Sequence, residues 1–245
     1  MKLTILKYGI VAALIAGTVV LGRSTLEGYV DGRVQHYLDA NPAQVYAATS
    51  KGIDLLKEAE KVAKGKFVNS LKGTLEQDSS DPFLGNPDAD VTVVMFSDYN
   101  CGYCKKSHPT LQAALDADSK LRIVIKEFPI LGPMSQMAAV ASVAVYRLAP
   151  QHFGLFQDKM FSTRLSSQQD ILSIVESLGI DSDAFLQELP KPYYAQKLGE
   201  NLSLGEKLQI NGTPAFVVNG EVYSGALSPE ELLKIVAQAR NSATS

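Results

Sequence analysis

From the amino terminus, apolar and polar positions divide the chain into stretches of different period. Lys2 and Lys7 precede an apolar run from Tyr8 to Gly22, which Arg23 closes. Beyond it Val30, Val34, Tyr37 and Leu38 recur at the spacing of one helix face. Asn41-Pro42 then supplies an N-cap and a proline suited to the first position of a second helix. Leu56, Ala59, Ala63 and Phe67 continue an apolar stripe, while Lys57, Glu58, Glu60, Lys61 and Lys64 fill the other face. Such a stripe calls for a surface to cover it. Between residues 73 and 90, Asp78, Ser79, Ser80, Asp81, Pro82, Gly85, Asn86 and Pro87 break regular structure, and the stretch reads as a linker.

The period then shortens to that of strands. Val91 to Phe96 reads as a strand, Asp98 to Asn100 as a turn, the residues to about Leu115 as a helix, and Leu121 to Phe128 as a second strand. A helix of that length between two strands makes a right-handed crossover and a parallel pair. Ala215 to Val218 and Val222 to Ser224 flank Asn219-Gly220, which suits a tight antiparallel hairpin. Ser228-Pro229-Glu230-Glu231 combines an N-cap, a first-turn proline and a reciprocal glutamate, and Leu232, Leu233, Ile235 and Val236 give the following helix its buried face. Residues 131–208 hold no convincing strand. Helices are expected there at Met137–Arg147, His152–Phe161, Gln168–Leu178, Asp183–Leu189 and Tyr194–Leu208. The implied α/β architecture is a βαβ-ββα core, residues 91–130 with 209–245, carrying a helical insert at 131–208. A helical segment at 23–72 and the linker at 73–90 precede it.

Composition changes the picture in three respects. A hydrophobic content of 46% is ample for a core. The net charge of -3 arises from well-mixed residues, 23 basic and 26 acidic, and gives no long-range field for nucleic acid or anionic lipid. The two lysines before the apolar run have the order of an export signal. The run is shorter than the roughly 20 residues of a membrane-spanning helix, which favours a cleaved signal peptide at 1–22 over a signal anchor. Val20-Leu21-Gly22 fits the small-residue cleavage rule only loosely, so an anchor stays open. With the lysines held on the cytoplasmic side, either form delivers the rest of the chain to an oxidising space, the periplasm.

The chemistry centres on the only two cysteines, Cys101 and Cys104, in Asn100-Cys101-Gly102-Tyr103-Cys104. So short a loop removes too little chain entropy to serve as a structural staple. At a strand-to-helix junction, Cys101 faces unpaired backbone N–H groups and the positive end of a helix dipole, which favour its thiolate. Cys101 is the expected nucleophile and Cys104, one turn further in, the resolving thiol. Lys105 and Lys106 add nearby positive charge. Zinc would need further ligands, and His36, His108 and His152 show no suitable spacing. Copper(I) binding by two thiolates remains an alternative. His108 lies one helical turn past Cys104, either touching the site or as a polar surface residue beside it. Gly212-Thr213-Pro214 precedes a strand: an ordinary loop proline, or a cis proline that turns the Thr213 backbone toward an extended substrate. Glu127 shares a strand face with Ile123 and Ile125, so it is either a solvated strand-end charge or a buried carboxyl able to carry the proton of Cys104.

With Asp98-Tyr99-Asn100-Cys101-Gly102-Tyr103-Cys104-Lys105-Lys106, Lys126-Glu127-Phe128-Pro129-Ile130-Leu131-Gly132 and Gly212-Thr213-Pro214 in order, the sequence resembles the DsbA family of thiol-disulfide oxidoreductases. Asp81-Pro82-Phe83-Leu84-Gly85-Asn86-Pro87 extends the likeness toward its ScsC-like branch. The resemblance implies a thioredoxin-like fold with an inserted helical domain and a cis-proline loop at Thr213 and Pro214. It implies no cofactor beyond a redox-active Cys101-Cys104 disulfide, with Gly102 and Tyr103 tuning the pair. Protein substrates with thiols or disulfides and a membrane redox partner would be its partners. Self-association through residues 23–72 would follow the use relatives make of such a segment. Many relatives carry an acidic residue where this chain has Met95, so either Glu127 substitutes as the relay or the relay is lost.

Overall fold

The computed structural model describes residues 30–243, so the apolar run expected as an export signal lies outside the described residues. The chain divides into two compact units at Lys61/Val62. In the first, residues 30–40 are helical, and a break at Asn41 precedes α1 (Pro42–Ser70), as the Asn-Pro pair dictates. Val34, Tyr37 and Leu56 of the expected stripe are exposed, as are Tyr46 and Leu55, so the first unit by itself does not bury them.

The second unit holds the end of α1, then α2 (Lys72–Glu76), β1 (Phe83–Gly85), β2 (Val91–Ser97), α3 (Gly102–Ala117) and β3 (Leu121–Glu127). Five helices follow: α4 (Pro133–Leu148), α5 (Phe153–Ser162), α6 (Gln168–Ser177), α7 (Ser182–Glu188) and α8 (Pro192–Lys207). The hairpin of β4 (Ala215–Val218) and β5 (Glu221–Ser224) and the closing α9 (Pro229–Ala243) complete it. The sheet runs β1-β3-β2-β4-β5, with β2 and β3 parallel and every other pair antiparallel. Asn219 and Gly220 at the hairpin both have positive φ, 46° and 83°, as a two-residue turn of matching twist requires. At α9 the Glu231 N–H donates to Ser228 Oγ at 3.2 Å and the Ser228 N–H to Glu231 Oε2 at 2.8 Å, closing the capping box.

β2 is central and apolar along nearly its whole length because both of its faces are covered. Val93 and Met95, with Ile123, Ile125 and Phe216, form one core with Leu111 and Ala114 of α3 and the apolar faces of α4 to α7. Val94 and Phe96, with Val124 and Val217, form the other with Val68, Leu75, Leu204 and Leu208. Burying a side chain such as Phe96 contributes about 2–3 kcal/mol.

The stretch expected as a linker is part of this unit, and that expectation is corrected. Leu75 on α2 is buried, and β1 pairs antiparallel with β3, Phe83 opposite Val124. Gly85 has φ 87°, and a Cβ there would lie 2.5 Å from the Leu121 carbonyl oxygen, so the glycine permits this edge pairing. Asp81 is buried in an ion pair with Lys126, and Lys197 of α8 reaches Asp81 and Asp78, each at 2.6 Å. These charges bind the stretch to β3 and α8.

Candidate active site

At the end of β2 the backbone turns through Asp98, Tyr99 and Asn100, and Asp98 fixes that turn. Its Oδ1 accepts the Asn100 N–H at 2.9 Å, and its carbonyl accepts the Cys101 N–H at 3.0 Å. Oδ2 accepts the N–H groups of Ile130 and Leu131 at 3.0 and 3.1 Å, tying the turn to the loop after β3. Cys101 is the N-cap residue of α3, and its carbonyl receives the Lys105 N–H at 3.0 Å. Both cysteines are buried, Cys101 with 8% of its surface reachable and Cys104 with none. Gly102 and Tyr103 are exposed, and Lys106 Nζ lies 5.5 Å from the centre of the Tyr103 ring.

The Thr213-Pro214 peptide bond is cis, and Cys101 Sγ donates to the Thr213 carbonyl at 3.2 Å. Thr213 of the expected substrate-binding pair thus stands against Cys101. The two thiols titrate in opposite directions. Burial pushes Cys101 up, but the Thr213 hydroxyl, the Cys104 N–H and thiol and the Tyr103 N–H outweigh it, leaving Cys101 below its ordinary value. Deeper burial pushes Cys104 up to about 12, only partly opposed by the Asp98 N–H and the Thr213 hydroxyl.

His108 is buried on α3, and Nε2 meets Asp158 Oδ1 of α5 at 2.6 Å. Its ring packs on Phe161 at 4.9 Å, and Tyr99 packs on Phe161 at 4.7 Å. The reading of His108 as a surface residue is therefore corrected: it ties α3 to α5. Nothing in sequence spacing links residue 108 to residue 158.

Glu127 is fully buried, as its alternation with Ile123 and Ile125 allowed. Oε1 accepts Ser142 Oγ at 2.5 Å and lies 3.4 Å from the Tyr99 hydroxyl, which also meets Ser142 Oγ at 2.8 Å and Gln157 Nε2 at 3.2 Å. Burial, with lesser contributions from Asp98 and Asp81, pushes Glu127 up to about 8. Among the described residues neither of its oxygens hydrogen-bonds a sulfur, and its neighbours hold the active-site turn through Tyr99. Asp98, Tyr99, Ser142, Gln157, Asp158 and Phe161 were not singled out from sequence as site residues. Only Asp98 carries a local signal, an aspartate whose side chain caps the N–H two residues on.

Among the described residues no three His, Cys, Asp or Glu side chains converge as a metal site. The sequence matches the thioredoxin family over residues 77–238. The chain belongs to the thioredoxin family. Among solved members with this fold, the thiol-disulfide exchange protein alpha-DsbA2 of Wolbachia pipientis is 27% identical with a TM-score of 0.69, covering 74% of this chain and 97% of that one. The catalytic domain of Proteus mirabilis ScsC is likewise 27% identical, TM-score 0.66, covering 72% and 98%. Disulfide bond formation protein D of Bacillus subtilis is 26% identical over 166 residues, 63% of this chain and 75% of that protein. A Na(+)/H(+) antiporter, NhaA 3 of Salinispora tropica, matches at 31% over 170 residues; the chain spans only 25% of its length. Two of these names speak of thiol-disulfide exchange and disulfide bond formation, which does not favour the copper(I) alternative.

Proposed function

We propose that this thioredoxin-family chain is an exported thiol-disulfide oxidoreductase that forms or isomerises disulfides in other proteins through Cys101 and Cys104. The observation that carries the reading is the contrast between the thiols: a Cys101 favoured as thiolate at a helix start, and a buried Cys104 held as thiol. In the oxidising direction a substrate thiolate attacks Cys101 Sγ, the Cys101-Cys104 bond breaks, and Cys104 leaves with both electrons and takes up a proton. A thiol raised this far is a poor leaving group as the bare thiolate, so Cys104 departs readily only as the proton reaches it. A second substrate thiolate then attacks the substrate sulfur of the mixed disulfide and releases Cys101 as a stabilised thiolate. The substrate is oxidised and the protein reduced by two electrons, with no cofactor beyond the Cys101-Cys104 disulfide.

Thr213 and Pro214 stand where an extended substrate chain would lie against Cys101. Gly102 and Tyr103, exposed beside it, tune the pair. A membrane redox partner would reset the cysteines, and the open apolar stripe of residues 30–56 favours a homo-oligomer. Lys2, Lys7 and the apolar run after them support export to the periplasm; no helix among the described residues is long and apolar enough to cross a membrane. The test is turnover with a reduced, unfolded protein bearing several cysteines. The oxidised chain should restore its disulfides, and Cys101→Ser should lower the rate to that of the uncatalysed reaction. Full turnover by Cys101→Ser overturns the reading.

A further inference from the structure

Cys101 opens onto a groove of about 320 Å³. One wall is the active-site turn from Tyr99 to Gly102, and the other is the chain just after α5, Thr163 to Leu165. Lys105 crosses between them, with Nζ 3.2 Å from the Thr163 carbonyl, which leaves two of its three donors for another partner. Arg164 is exposed on the far wall, and among the described residues no carboxylate pairs with it or with Lys105. The nearby acids are committed elsewhere. Asp158 is bound to His108, and Asp98 is buried under three N–H groups. Lys106, 5.5 Å from the centre of the Tyr103 ring, adds a further cation on the same helix. The approach to the nucleophile is therefore positive on a chain whose net charge is -3.

We propose that this groove is a specificity subsite for acidic side chains flanking a substrate cysteine, with Arg164 and Lys105 as the residues that read them. It rests on the exchange reading above and names the substrate class. With the substrate sulfur at Cys101, an extended chain rises about 3.3 Å per residue, so residues next to the cysteine fall beside the Lys105 and Arg164 wall. A carboxylate there meets two cations at the rim of a concave site, where local fields are focused and association is accelerated. The chemistry is that of the first exchange step, and the charges alter only how often and in what orientation the substrate thiolate arrives.

The test uses the oxidised full chain and three peptides that each carry a cysteine pair, flanked by Asp, by Asn or by Lys. Peptide disulfide is quantified after acid quench, with each rate expressed per thiolate from that peptide's own titration. At low ionic strength the Asp peptide should react about tenfold faster than the Lys peptide, with the Asn peptide between. High salt should compress the spread, Lys105→Gln should narrow it, and Arg164→Glu, a change of two charges, should narrow it further. Equal rates for the Asp and Lys peptides in the unaltered chain, or a spread unchanged in Arg164→Glu, overturn the proposal alone. Failure to oxidise even the Asn peptide overturns it together with the exchange reading.

Discussion

Cys101 and Cys104 lie three positions apart, and burial acts against ionisation at both; what separates them is which donors reach each sulfur. Cys101 meets the first N–H groups of α3, whereas Cys104 sits deeper. Alkylation followed across pH should show Cys101 reacting with a midpoint below that of a free thiol, and Cys104 staying unreactive until close to pH 12 in the reduced chain. A Cys101 midpoint at or above the ordinary thiol value would remove the basis of the proposed chemistry. Glu127 gives a second expectation at this scale. Its folded pKa of about 8 lies above the ordinary 4.5, so the fold favours the protonated carboxyl. That contribution is complete below about pH 4.5 and is lost as pH rises through about 8, with a limiting slope near 1.4 kcal/mol per pH unit. Denaturant unfolding at pH 5 and pH 8 should show the loss, and Glu127→Gln should flatten it. An equal slope in Glu127→Gln would show that the carboxyl is not the group responsible. The burial of Glu127 was legible from strand alternation. Its partners were not, because Tyr99, Ser142 and Gln157 come from a turn and two helices that only the tertiary fold brings together.

At the scale of elements, those with a periodic signature were legible to within a few residues. β2, β3 and β4 announce themselves by apolar runs, α9 by its capping box and α4 to α8 by stripes. β1 did not, since three residues after a proline have no period to read; β1 exists because β3 offers an open edge and Gly85 fits against it. The polar residues that suggested a linker are instead anchors. Lys126 and Asp81 are both buried, so removing Lys126 leaves Asp81 with Lys197 alone, among the described residues, to balance it where solvation is poor. Lys126→Met should cost about 3 kcal/mol in denaturant unfolding, and adding Asp81→Leu should recover part of that cost. Strict additivity of the two losses would mean that the pair does not couple the stretch to the sheet.

At the scale of the whole molecule, the first unit poses a different question from the second. A helix this long gains most of its stability by packing an apolar face, and Tyr46, Leu55 and Leu56 on α1 have no cover within the first unit. Water contact costs about 25 cal/mol for each Å² of apolar surface left open, so apolar side chains left exposed on a long helix favour association with a second copy. The proposed homo-oligomer would place several Cys101 sulfurs around one substrate. Linked sites raise the effective concentration of a second thiolate near a wrongly formed disulfide. Light scattering on the intact chain should therefore give a multiple of the chain mass, and Tyr46→Glu with Leu56→Glu should reduce it to a single mass. The same double variant should oxidise a short dithiol peptide at the parent rate, because that reaction uses one Cys101-Cys104 pair. It should rearrange a scrambled multi-disulfide protein several-fold more slowly, because that reaction gains from neighbouring pairs. A monomeric parent chain would remove the assembly, and an assembled chain whose disruption slows both reactions alike would remove the division of labour.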